Sequence, residues 1–327
     1  MSAGASAITR ALSLLILPVL PMSCLRSRTM ASNFAARLYW CSIFASSRQA
    51  RGNFGGSDAK FASSLGINAA QYSRIRRGDW EKVLGEDKWI TIARHLGVGL
   101  GTQAAWKTAN TPVYQFITRQ LEMCQAQSLS ALLCDMSDIG KTYTALSYQK
   151  THKNVVYVDC SQVKSKQKMI RKIAKSFGVG STGRYDDVYE DLVFYLKTLP
   201  TPLIILDEAG DLHYEAFLEI KALWNATDRV CGFYMMGADG LREKIRRAID
   251  NKKVGYAELF SRFGRKYINV VPMEKEERER FLQLTAAMII KANSEAGVDA
   301  MRIVRECSDE QHIPSLRRIN KELSKLS

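Results

Sequence analysis

Between Ser128 and Met273 lie five short apolar runs: "SLSALLCD", "NVVYVDC", "PLIILDEA", "CGFYMMGA" and "KYINVVPM". Segments with helical spacing separate them, among them "KQKMIRKIAKSF", "DVYEDLVFYLKTL" and "YEAFLEIKALWNA". Each run is unbroken rather than alternating, which is the pattern of a strand buried on both faces. Strands that alternate with helices predict a doubly wound α/β core built on a parallel five-stranded sheet. After Met273 only helical patterns remain, from "EKEERERFLQLTAAMIIKAN" to "SLRRINKELSKL". They predict a C-terminal helical lid over 274–327 appended to a core over 112–273.

The loop after the first run carries chemistry. In "LLCDMSDIGKTYTALSY" a strand is followed by a loop that ends in Gly140-Lys141-Thr142 and then by a helix. A phosphate loop works this way: backbone N–H groups and a helix N-terminus face the phosphates, the lysine neutralises them and the next hydroxyl binds magnesium. The candidate nucleotide residues are Asp138, Ile139, Gly140, Lys141, Thr142 and Tyr143. One position departs from the pattern, because the glycine expected six residues before the lysine is Asp135. Aspartate tolerates the left-handed backbone that glycine would adopt there. Its charge at the edge of the phosphates is expected to weaken binding by about 1 kcal/mol, so that Asp135→Gly would bind ATP about fivefold tighter.

The third run, "PLIILDEAG", ends in adjacent carboxylates 66 residues beyond Lys141. A buried strand delivering two carboxylates to a phosphate loop is the arrangement in which one holds magnesium and the other activates the attacking water. Asp207 takes the first role, with Thr142 as the other metal residue, and Glu208 takes the second. ATP and Mg2+ are the cofactors this implies, with magnesium strictly required.

With the lid, the two motifs resemble those of the AAA+ ATPases over residues 112–327. The resemblance implies two further residues. "ELFSRFGRKY", just before the last strand, occupies the place of an arginine finger that reaches into a neighbouring subunit, with Arg262 as the choice and Arg265 as the reserve. "PSLRRINK" looks like the second sensor, in which Arg317 would contact the γ-phosphate. The strand "FYMMG" ends in Ala238-Asp239 where the family often places a polar Asn or Thr as its first sensor.

Upstream, "DAKFASSLGINAAQYSRIRRGDW" reads as a helix, a turn at Gly66, and a second helix capped by Asn68 and ended by Gly78. "EDKWITIARHLGV" adds an amphipathic helix with Trp89, Ile90, Ile92, Ala93 and Leu96 on one face. The stretch 58–100 resembles a repressor-type helix-turn-helix, a small all-helical domain with Ala62, Leu65, Ile67, Tyr72 and Ile75 as core. Its second helix would enter a major groove. Asn68, Ser73 and Arg74 would then face bases together with Ala69 and Ala70, which cannot hydrogen-bond a base, while Arg76 and Arg77 would grip phosphates. Such a surface serves affinity more than sequence reading. A polar linker over 101–111 joins this domain to the core.

A helix-turn-helix fused to a short AAA+ domain resembles the target-selecting ATPases of mobile elements of the phage Mu B transposition type. That resemblance implies ATP-driven assembly on duplex DNA as a homo-oligomer or filament with little sequence preference, and stimulation of a transposase during DNA recombination. Two other readings fit the same residues: a DNA-binding regulator that uses nucleotide as a switch without hydrolysis, and a replication-initiator or helicase-loading ATPase.

Composition narrows the setting. The formal charge of +14 over 327 residues suggests a polyanionic partner. Nearly half of it comes from residues 1–57, which hold six arginines and no acid. The apolar run "ALSLLILPVLPMSC" in that stretch is broken by Pro18 and Pro21 and is too short to span a bilayer. Residues 1–57 are therefore expected to be an atypical leader, either disordered or translated upstream of the true start, with no membrane association. The seven cysteines are odd in number and never spaced C-x-x-C, so neither a disulfide framework nor a zinc knuckle is signalled, and a reducing, cytoplasmic setting fits.

Overall fold

The computed structural model describes residues 34–79, 83–96, 98, 106–295 and 297–326. The stretch 1–33, with its broken apolar run, and residues 101–105 of the expected linker lie outside the described residues. The chain divides into two compact units, one comprising Met1–Gly52 and Ser57–Thr102 and the other Asn53–Gly56 and Gln103–Ser327.

The first unit contains α1 (Phe34–Asn53), α2 (Asp58–Ser64), α3 (Ala69–Arg76) and α4 (Glu86–Leu96). Ser57 caps α2 by accepting the Lys60 N–H, and Asn68 and Gln71 form a reciprocal capping box at α3. Gly66 (φ 75°) and Gly78 (φ 86°) take the left-handed conformation that ends each helix. The expected core residues Ala62, Leu65, Ile67, Tyr72 and Ile75 are all buried, and the Phe61 ring meets Tyr72 edge-on at 5.3 Å. In α4, Trp89, Ile92 and Ala93 point inward but Ile90 is 41% exposed. It sits about 100° round the helix from Trp89, beyond the edge of the buried stripe.

The helix α1 overturns the expectation of a disordered leader for residues 34–53. Ile43, Phe44 and Ser47 are buried, the Ser47 hydroxyl donates to the Phe44 carbonyl at 2.8 Å, and Arg51 pairs with Asp58 at 2.5 Å. An arginine-only charge pattern resembles a targeting segment. Here Ala, Leu and Arg act as ordinary helix formers, and Arg51 finds its acid across the turn.

In the second unit, α5 (Pro112–Ala126) starts at an N-cap, Thr111, whose hydroxyl accepts from the Tyr114 N–H, with proline at the first helical position. There follow β1 (Ser130–Cys134), α6 (Lys141–Thr151), β2 (Val155–Asp159), α7 (Lys166–Ser176), α8 (Tyr185–Thr198), β3 (Leu203–Asp207), α9 (Tyr214–Ala226), β4 (Gly232–Gly237), α10 (Asp239–Asp250) and α11 (Tyr256–Arg262). The four strands are parallel in the order β1-β4-β3-β2. Alternate side chains serve the two faces. Leu132, Ile204 and Leu206 join a core with α7–α11, while Leu133, Leu203 and Ile205 join one with α5 and α6. This is the doubly wound arrangement expected. Each fully buried Leu or Ile contributes about 1.5–3 kcal/mol.

The sheet has four strands rather than five. "KYINVVPM" reaches the free edge of β1 but makes one parallel bridge, Ile268 to Leu133. The Cys134 N–H donates to the Ile268 carbonyl and the Ile268 N–H to the Leu132 carbonyl, both at 2.9 Å. Two residues later the Val270 and Val271 N–H groups turn to a side chain, the carboxylate of Asp135, and the ladder stops. The lid comprises α12 (Lys275–Asn293), α13 (Ala300–Glu306) and α14 (Leu316–Leu326), packed around its own core of Ala286, Ile290, Ile303, Val304, Ile319 and Leu323. Among the described residues no helix is long and apolar enough to cross a membrane.

Candidate nucleotide site

β1 and β3 flank β4 and all three are parallel, so the loop after β1 and the carboxylates after β3 meet at the C-terminal edge of the sheet. The loop's left-handed residues are Asp138 (φ 60°) and Gly140 (φ 96°); Gly140 caps α6. Lys141 is buried, and its ammonium donates to the carbonyls of Asp135, at 2.8 Å, and Met136. Burial pushes the Lys141 pKa down, and the nearby carboxylates of Asp135, Asp207 and Glu208 oppose that shift. An ammonium has three donors, so two bonds to its own loop leave one for a phosphate oxygen.

Thr142 Oγ1 donates to Asp207 Oδ2 at 2.6 Å, joining the two motifs directly. Asp207 is 1% exposed, and its other oxygen accepts the Glu208 N–H at 2.9 Å. A residue not singled out in the sequence completes the set: the Tyr157 hydroxyl donates to Asp207 Oδ2 at 2.8 Å. Its signal was one aromatic hydroxyl in the aliphatic run "NVVYVDC", on the strand paired with β3. A hydroxyl and a carboxylate oxygen this close are hard oxygen donors suited to magnesium. Thr142 and Asp207 are thus the residues that would hold it, and the metal would neutralise phosphate charge there.

Glu208 has a left-handed backbone (φ 49°, ψ 39°), uncommon for a residue with a side chain. The short 3-10 turn Ala209–Asp211 holds it, with the Asp211 N–H donating to the Glu208 carbonyl at 3.0 Å. The residue as a whole is exposed, although the protein still partly desolvates its carboxylate. The surrounding protein and, next, the adjacent Asp207 raise its pKa above the ordinary glutamate value.

Asp135 does not stand where the sequence reading put it. Its φ is not positive, so this position does not require glycine's backbone. The side chain is 4% exposed and turns away from the loop's mouth. One carboxylate oxygen accepts the Met136 N–H at 2.7 Å; the other accepts those of Val270 at 2.5 Å and Val271 at 3.0 Å. Three N–H donors stabilise the carboxylate where it is. The expectation that its charge opposes phosphate is therefore replaced by that of a tie between the loop and the strand leading to the lid.

Asp138 points at the lid. Its Oδ2 accepts the Ser315 hydroxyl at 2.8 Å and the Arg317 N–H at 3.4 Å, and its Oδ1 lies 3.8 Å from Arg317 Nε. Arg317 is thereby brought to the phosphate loop with its side chain 88% exposed, whereas Arg318 is tied to the Ser308 and Glu306 carbonyls within the lid. Ile139 is buried in the core beneath the loop. Tyr143 is partly exposed, and its hydroxyl lies 2.6 Å from Thr108 Oγ1. Arg262 is not part of this cluster: its guanidinium donates to Asn225 Oδ1 at 2.7 Å and the Glu258 carbonyl at 2.9 Å, over the Trp224 ring. Arg265 has a left-handed backbone (φ 53°). Asp239, at the first-sensor place, opens α10 and lies 3.7 Å from Arg242, whose guanidinium also donates to the Cys134 carbonyl.

In the first unit Asn68 spends its side chain on the capping box. Arg74 pairs with Asp79 at 2.8 Å, Arg76 pairs with Asp58 at 2.6 Å, and Arg77 Nε reaches the Ser73 carbonyl at 3.4 Å. The three arginines are exposed and Ser73 half-buried.

A parallel sheet with a Gly-Lys-Thr loop after one strand, an Asp-Glu pair after another and a helical lid defines an AAA+ type nucleotide-binding core. Residues 125–245 match the family model described as an AAA domain. The chain is 27% identical over 214 residues to the Mu-like prophage FluMu DNA transposition protein B of Haemophilus influenzae, across 64% of this chain and 73% of that one. Over residues 125–245 the core thus resembles an AAA domain, and the chain resembles a Mu-like prophage DNA transposition protein B. Two solved structures are also similar: Cdc6p of Pyrobaculum aerophilum (16% identity, TM-score 0.46, 68% of this chain) and the Aeropyrum pernix Orc1 protein in complex with DNA (18%, 0.45, 67%). The match spans 61% of the length of each of those two chains.

Proposed function

We propose that this protein is a magnesium-dependent ATPase that assembles on duplex DNA with low sequence specificity and acts in transposition target selection. The observation that carries the reading is the junction of the two motifs, in which Thr142 donates to a buried Asp207 beside Lys141 and Glu208. Lys141 and the loop N–H groups bind the phosphates. Glu208 takes a proton from the water that attacks the γ-phosphorus, and its raised pKa makes it a better base than an ordinary glutamate. Arg317, beside the loop, reads the γ-phosphate. Arg262 acts on a neighbouring subunit's site, which in the proposed oligomer it reaches by releasing Asn225. Ser73, Arg74, Arg76 and Arg77 on or just after α3 contact DNA, and Asn68 contributes by holding that helix's first turn. The kinship with a transposition protein supports a transposase as partner and a cytoplasmic location. Steady-state ATP turnover with and without duplex DNA tests the reading: turnover stimulated by DNA is expected, and ATP binding without turnover would leave only a nucleotide switch.

A further inference from the structure

The helix α7 has a face that nothing above uses. The stretch 164–177 contains Lys164, Lys166, Lys168, Arg171, Lys172 and Lys175 and no acid. Its inward stripe is Met169, Ile170, Ile173 and Ala174, all buried to within 1%. At about 100° per residue, Lys168, Arg171, Lys172 and Lys175 lie on the opposite side. Arg171 is committed to the chain, donating to the Ser181 carbonyl at 2.7 Å and that of Gly183 at 2.9 Å. Among the described residues none of Lys168, Lys172 and Lys175 has a carboxylate in ion-pair range.

The other basic helices are built differently. In α10, Arg246 lies near Glu243 and Asp250, and Arg247 near Glu243. Arg280 faces Glu276 in α12, Arg302 faces Glu306 in α13 and Lys325 faces Glu322 in α14. On α7, by contrast, every charged pair three or four residues apart is positive, and such pairs destabilise a helix by about 0.2–0.5 kcal/mol each. Lys168 and Lys175 are exposed and Lys172 is half-buried; burial first, and then the Lys175 charge, push the Lys172 pKa down against the nearby Asp159. A face that keeps its repulsion is suited to a ligand that supplies negative charge. It carries no aromatic or large aliphatic side chain, which a protein interface would need at its centre. Lys168 and Lys175 stand about 10 Å apart along the axis, far enough for the face to meet more than one phosphate of a strand.

We propose that the outer face of α7 is a second DNA contact, carried by the AAA+ core itself, in which Lys168, Lys172 and Lys175 grip the phosphate backbone without reading bases. This rests on the duplex-DNA part of the proposed function. The test measures binding of the full chain to a labelled mixed-sequence duplex at several salt concentrations. It compares wild type with the triple exchange Lys168→Gln, Lys172→Gln, Lys175→Gln, the corresponding triple exchange to Arg, and Arg76→Ala with Arg77→Ala. The Gln triple should bind a fluorescent ATP analogue normally but lower the log-affinity against log-salt slope by about 2–3, at roughly 0.9 per lost phosphate contact. The Arg triple should keep the wild-type slope. An unchanged slope in the Gln triple, with loss only in the Arg76/Arg77 variant, overturns the second contact and leaves the DNA reading intact. Failure of wild type to bind duplex at all defeats both. Unchanged DNA binding by the Gln triple with lost binding of an acidic polypeptide would assign the face to a protein instead.

Discussion

Replacing Asp135 by glycine restores the residue a phosphate loop ordinarily has, yet the structure predicts that the protein becomes worse. The carboxylate accepts three backbone N–H groups, and two of them, on Val270 and Val271, have replaced ladder bonds that the fifth run does not make. Hydrogen bonds to a charged group contribute about 1.5–3 kcal/mol each, and a buried N–H left unpaired costs about 1–3 kcal/mol. Val271 is 2% exposed, so its N–H is the one water reaches least. Deleting the carboxylate also removes the cost of burying it, several kcal/mol, which cancels much of the gross loss. The glycine adds up to about 1 kcal/mol of backbone entropy cost. The net expectation is a destabilisation of about 3 kcal/mol, or roughly 6–12 °C in melting temperature for a unit of this size. Because those lost side-chain bonds also fix the backbone whose carbonyl receives Lys141, affinity for ATP should fall rather than rise. Asp135→Asn, which keeps one acceptor, should lie between. Thermal unfolding and titration with a fluorescent ATP analogue measure both effects. A glycine variant as stable as wild type that binds ATP more tightly would refute the reasoning.

Lys141→Ala should lose saturable ATP binding, while Glu208→Gln should keep it and slow hydrolysis by roughly 100-fold or more in single-turnover assays; equal behaviour of the two would contradict the assigned roles. Glu208 must be deprotonated to act, and its pKa is raised, so activity should fall with decreasing pH at a point above the ordinary glutamate range. A pH profile of single-turnover hydrolysis that stays flat down through pH 4.5 would contradict this. The Tyr234 hydroxyl is fully buried without a hydrogen-bond partner among the described residues, so Tyr234→Phe should be neutral or stabilising by about 1 kcal/mol in urea unfolding.

Much of this was legible in the sequence because it rests on local pattern. Four apolar runs became the four strands, and the cap at Asn68, the turn at Gly66 and the core of α2 and α3 follow from spacing alone. What the sequence could not show depends on partners distant in the chain. Asp135 reads as a defect until Val270 and Val271 are seen to donate to it, and the fifth run reads as a strand until those N–H groups are accounted for. Likewise Asp138 reads as a phosphate-loop residue until Ser315 and Arg317 of the lid reach it, 177 and 179 residues away. The helix α1 was hidden for a different reason, since six arginines without an acid in residues 1–57 suggest a leader rather than a packed helix.

The most direct test of the central claim is the rate of magnesium-dependent ATP hydrolysis by the full chain, measured with and without duplex DNA alongside Glu208→Gln. The account predicts turnover that rises when DNA is added, requires magnesium and collapses in the variant although the variant still binds ATP. Wild-type protein that binds ATP but gives no more phosphate than Glu208→Gln, with or without DNA, would contradict it.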